Sequence, residues 1–142
     1  MINHTPQCPG SRKLAVNSIL SERSIMLYAQ VTSALLVVAG MFLVFVGKRQ
    51  SADKVPFNSS FGTRTWDTRR SEKAWRAGNR AAGPYSVYMG GVAMACGAGG
   101  FILAQSTEYG ALVAVSIAIV AILVLTGMQV KKANDAARHA DR

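Results

Sequence analysis

Ile25-Met-Leu-Tyr-Ala-Gln-Val-Thr-Ser-Ala-Leu-Leu-Val-Val-Ala-Gly-Met-Phe-Leu-Val-Phe-Val-Gly47 runs for 23 residues without an Asp, Glu, Lys or Arg. A bilayer core about 30 Å thick needs roughly 20 apolar residues in a helix, and only a helix satisfies its own backbone groups there. Two further uncharged runs meet the same requirement, the 27 residues of 81–107 and the 22 residues of 109–130. The chain therefore reads as an all-α membrane protein with three transmembrane helices, at about 25–47, 84–105 and 110–130. They make one membrane domain, 25–132, between a polar N-terminal tail, 1–24, and a polar C-terminal tail, 133–142.

The charges are segregated. Only 16% of the 142 residues are charged, against roughly a quarter in a soluble domain, yet the net charge is +9. Nine of the sixteen basic residues lie in the loop 48–80, with three acids, Asp53, Asp67 and Glu72. Lys131, Lys132, Arg138 and Arg142 follow the third run. Short cytoplasmic loops accumulate Lys and Arg. The expected orientation therefore puts the N-terminus outside and the basic loop and C-terminus in the cytoplasm. The same placement argues against nucleic acid as a partner and for membrane lipids, anionic ones above all.

Residues 1–24 contain Pro6, Pro9 and Gly10 and lack the pattern of a secretory signal. This tail is expected to be disordered or to lie on the surface; a start at Met26, which would omit it, is the second reading. Pro56 is expected to break any helix leaving the first span, and Pro84 to stand in the first turn of the second. In that glycine-rich span Gly91, Ala95 and Gly99 recur every four residues, a helix-packing stripe for use within the bundle or against another copy or subunit. Cys8 and Cys96 should sit at different depths and are not expected to pair. His4 with Cys8 does not make a metal site, and no metal or cofactor is expected.

The loop carries Gly62, Arg64, Thr65, Thr68, Ser71, Trp75, Asn79 and Arg80 in one dense block. Thr68 or Ser71 can cap a short helix over 72–80, expected to lie in the membrane interface. Its Ala74, Trp75 and Gly78 would turn to the membrane, and Lys73, Arg76 and Arg80 to phosphates. Either the arginines follow only the charge bias, or Arg64, Thr65, Thr68, Ser71, Trp75 and Asn79 form a fixed polar cluster. Such a cluster would hold a lipid headgroup, a peptide terminus or an acidic partner, since arginine forks bind anions bidentately. On the second reading Arg64→Lys impairs function, whereas Lys54→Gln, outside the block, does little.

The pattern Gly62-x-Arg64-Thr65-x-x-Thr68-x-x-Ser71-x-x-Ala74-Trp75-x-x-x-Asn79-Arg80, between a first span and a Gly-rich second, resembles the SdpI family of small bacterial integral membrane proteins. The similarity covers about residues 26–130. It resembles the short members; longer ones carry additional spans before the matched part. The resemblance implies immunity to a secreted membrane-active peptide toxin, and signalling by holding a transcriptional repressor at the membrane. It implicates Gly62, Arg64, Thr65, Ser71, Trp75 and Asn79 as signature positions.

No Ser-His-Asp or Cys-His set is evident and no acid lies within a span, so neither an enzyme nor a transporter is expected. The expected function is that of a non-enzymatic SdpI-like membrane protein in peptide-toxin immunity or associated signalling, engaging a soluble cytoplasmic regulator. The alternative is a small accessory subunit that stabilises a larger membrane complex, such as a respiratory or transport assembly, through a protein partner in the membrane.

Overall fold

The first helix begins well before Ile25. The computed structural model describes residues 9–57, 59–107 and 109–140 (for residues 9–16, 18 and 19, the backbone alone). In it α1 spans Pro9–Ser51, α2 Glu72–Leu103 and α3 Gly110–Ala140. All three are long and apolar enough to cross a membrane, and no strand occurs among the described residues. The protein is an all-α, multi-pass membrane protein.

At 1.5 Å per residue, the 43 residues of α1 extend for about 65 Å, and α2 and α3, with 32 and 31, for roughly 47 Å each. All three outrun a hydrocarbon core. Residues 9–24, expected as a disordered or surface-lying tail, are instead the first turns of α1. Pro9 opens it, where a missing N–H costs nothing. Residues 1–8, with His4 and Cys8, lie outside the described residues. The segment 133–140, expected as a tail, continues α3, with Ala133 and Ala137 fully buried.

Pro56 does not end α1. The helix closes five residues earlier in a Schellman turn, in which Lys54 N–H donates to Arg49 O (3.0 Å) and Asp53 N–H to Gln50 O (3.2 Å). Asp53 supplies the left-handed residue that this turn requires (φ 55°). The segment 72–80 is likewise no separate interfacial helix. Ser71 caps it, its hydroxyl accepting from Ala74 N–H (3.1 Å), and the helix then runs unbroken into the second span. Pro84 thus lies in the interior of α2 rather than in a first turn.

α2 is the central helix: it packs against α1 on one side and α3 on the other, while α1 and α3 barely touch. The α1–α2 seam is made of small residues seven apart on both helices, Ser33, Gly40 and Gly47 facing Gly97, Gly90 and Gly83. A Cβ on Gly40 would lie 2.6 Å from the carbonyl oxygen of Gly90, and one on Gly90 2.5 Å from that of Gly40. The two backbones are therefore in direct contact. Without a hydrophobic force to drive helices together in lipid, such close approach supplies the van der Waals packing that holds them. Gly91 and Gly99 have nothing within 4 Å of where a Cβ would sit, and Ala95 is exposed. Each residue turns a helix by about 100°, so a stripe beginning one residue after Gly90 faces away from α1. The expected stripe does not pack within the bundle. Its outward face is open, as are the exposed Leu35, Val38, Leu112 and Leu123.

Candidate functional site

Beyond the apolar runs, the loop 52–71, the first turns of α2 and the last turns of α3 assemble into a polar head. Its centre is Trp75, completely buried. The indole N–H donates to Val55 O (3.2 Å), and Phe57 meets the ring edge-on with centroids 6.0 Å apart. Ala74 and Gly78 are buried beside it. This face of the helix, expected to turn toward the membrane, is turned into the protein. An amphipathic segment buries its apolar face in apolar surroundings, and here the folded-back loop supplies them through Val55 and Phe57.

The loop is tied down through Asn79, which is 2% exposed. Its side-chain oxygen accepts from Thr63 N–H (2.7 Å), and its amide nitrogen donates to Trp75 O (3.0 Å). Gly62 allows the approach. Its φ of +133° suits glycine, and a Cβ there would lie 2.5 Å from Asn79 Oδ1. Thr65 and Thr68 then close a turn, Thr65 N–H donating to Thr68 Oγ1 (2.9 Å) and the Thr68 hydroxyl to Thr63 O (2.9 Å). The buried Thr68 methyl sits over Gly78, where a Cβ would lie 2.5 Å from it. Next in line, the buried Asp67 accepts from Arg138 Nε (2.9 Å) and pairs with Arg70 (3.2 Å), fastening the end of α3 to the loop.

Beneath the loop a chain of neutral groups joins the three helices where the apolar runs end. Gln129 of α3 donates to the Ser86 hydroxyl of α2 (2.7 Å), which donates to Gln50 Oε1 of α1 (2.8 Å). Longer contacts of 3.4 Å link Gln50 Nε2 to Asn79 Oδ1, and Gln129 Nε2 to Thr63 Oγ1 and Ala82 O. Buried amides and hydroxyls that satisfy one another fix a unique arrangement, because each would be costly to strand in an apolar setting. Gln50, Ser86 and Gln129 were not among the expected site residues. The available signal was a lone amide beside each cationic stop, Lys48-Arg49-Gln50 and Gln129-Val130-Lys131-Lys132.

The signature block thus divides in two. Gly62, Thr65, Thr68, Ser71, Trp75 and Asn79 are engaged inside the head and hold the loop in place. Arg64 and Arg80 are exposed, with no hydrogen bond or ion pair among the described residues. Between Arg64 and the likewise exposed Arg69 in sequence stands Trp66, 83% exposed. No group of three or more His, Cys, Asp or Glu is placed to hold a metal among the described residues. The neutral network can position groups, and the rim of arginines can bind anions.

No curated protein and no solved structure matches the chain. The family model described as the SdpI/YfhL protein family matches residues 54–128, just over half the chain. That stretch takes in nearly all of the head-forming loop, all of α2 and α3 as far as Met128, and the chain belongs to the SdpI/YfhL family of membrane proteins.

Proposed function

We propose that this SdpI-type protein is non-catalytic and acts in immunity to a membrane-active peptide or in the signalling linked to it, its polar head serving as the docking surface for a soluble acidic partner. The head would face the cytoplasm of a bacterial plasma membrane, in keeping with the excess of Lys and Arg at that end. The observation that carries the reading is Trp66, 83% exposed in the loop and flanked in sequence by the exposed Arg64 and Arg69, on a head whose loop is held in place by the buried Trp75 and Asn79. Tryptophan and arginine are the residues that most often dominate protein–protein binding energy. A head whose loop is already tied down through Asn79, Thr65 and Thr68 is preorganised, so docking would cost little ordering entropy.

Affinity capture of the tagged protein from native membranes in mild detergent, with mass spectrometry, tests this. One soluble protein is expected at comparable abundance, reduced about tenfold or more by Trp66→Ala and by Arg64→Lys, which keeps the charge but loses the planar fork. Equal recovery with all three forms would sink the docking surface. A reproducible set of membrane subunits would instead support the accessory-subunit reading. What favours that second reading is the open face at Gly91 and Gly99, where a neighbouring helix could approach closely.

A further inference from the structure

The Schellman turn that ends α1 has a second consequence. It folds Lys54 back so that its N–H meets Arg49 O, and both side chains then line the same groove. The groove, about 330 Å³, lies between the last turns of α1 and the start of the loop. Its walls include Phe42, Phe45, Val46 and Phe61. Phe42 and Phe61 meet edge-on at 6.3 Å, and Arg49 lies over the Phe45 ring at 5.6 Å, which holds the guanidinium at the rim. Neither Arg49 nor Lys54 has an ion-pair partner among the described residues. The acid between them in sequence, Asp53, faces Arg76 instead (3.5 Å).

We infer that this groove is a binding site for one anionic glycerophospholipid, its phosphate held by Arg49 and Lys54 and the upper part of an acyl chain against Phe42, Phe45, Val46 and Phe61. Position argues for a lipid over other occupants. The uncharged run of α1 ends at Gly47, so the phosphate plane of the bilayer falls at the level of Lys48 and Arg49. Phe42 and Phe45, 52% and 56% exposed, are turned to the surroundings of the span just below. An apolar cleft with two unpaired cations at its mouth, opening at the boundary between acyl chains and headgroups, matches an anionic phospholipid in both charge and polarity gradient. Lys54, which the sequence alone marks as silent, becomes one of the two headgroup ligands. The site does not depend on whether the head docks a regulator or the bundle joins a larger complex.

The test is a titration of delipidated protein in detergent with phosphatidylglycerol, with phosphatidylcholine as the zwitterionic comparison, followed by native mass spectrometry. One tightly retained phosphatidylglycerol per chain is expected, bound about tenfold or more tightly than phosphatidylcholine. The double variant Arg49→Gln/Lys54→Gln should lose that preference. Lys131→Gln/Lys132→Gln, which removes as much charge from the same end of the bundle, should keep it within about twofold, because those lysines do not line the groove. Val46→Trp, which fills the groove and leaves both cations, should abolish retention while its helical circular dichroism and melting stay close to the parent's. Excess inorganic phosphate should not displace the lipid. Equal loss in the two charge variants would overturn the proposal in favour of general charge attraction. Retention in Val46→Trp, or equal binding of phosphatidylcholine, would overturn it as well.

Discussion

Trp75→Ala is expected to unfold the polar head while leaving the spans helical. The side chain is completely buried, and truncating a buried tryptophan costs about 3–5 kcal/mol. The loss goes beyond the cavity. Val55 O loses its indole donor, Phe57 loses its edge-on neighbour, and the loop backbone at Thr63 rests on Asn79, one turn further along α2. A penalty of that size is a large fraction of the stability of a small domain, so the head should open as a unit before the spans separate. Thermal unfolding in detergent, followed by circular dichroism and by limited proteolysis of the loop, reads the effect. The other tryptophan is the internal control. Trp66→Ala, at a site 83% exposed, should change stability by no more than about 0.5 kcal/mol. Similar melting for the two variants would mean that Trp75 does not anchor the head.

The second large effect concerns neighbouring glycines with opposite expected signs. A Cβ on Gly90 would lie 2.5 Å from Gly40 O and 2.8 Å from Val44 N, both main-chain atoms that cannot rotate away. Gly90→Ala must therefore push α1 off α2, at a cost of about 1–3 kcal/mol or more. One residue on, a Cβ on Gly91 meets nothing within 4 Å, and Gly91→Ala should be neutral or stabilising by up to about 1 kcal/mol through helix propensity. Melting of the isolated protein in detergent distinguishes the two. If Gly91→Ala were the more damaging in the isolated protein, the face assigned to the α1–α2 seam would be wrong. If it were damaging only in native membranes, its open face would be occupied there by another chain.

The three spans were legible because length and the absence of charge are properties of the residues themselves, and a bilayer imposes a minimum on both. The packing face was not. Gly91, Ala95 and Gly99 at four-residue spacing, and Gly83, Gly90 and Gly97 at seven, each trace one side of a helix, and one helix alone cannot say which side its neighbour takes. The answer lay in the match with Ser33, Gly40 and Gly47, small residues at the same seven-residue spacing on the preceding helix. The loop block was legible as a cluster but not in its role. Thr65, Thr68, Ser71 and Asn79 have the same side chains whether they hold a ligand or hold a loop, and only the fold-back that buries Trp75 decides between them. Arg64, among the expected ligand residues, keeps that expectation because nothing in the head engages it.

Amide hydrogen exchange of the protein in lipid nanodiscs, read over residues 59–71, tests most directly the claim that the loop is a folded head built on all three helices. Thr63 N–H is bonded to Asn79, and Thr65 N–H to Thr68. Exchange there is expected to be slower than in an unstructured chain by about a hundredfold or more, and to speed up markedly in Asn79→Ala, which removes the acceptor at Thr63. Exchange of 59–71 at the unprotected rate in the parent protein would contradict the account, leaving the arginines of the loop as a mobile charged linker and no preorganised surface to dock.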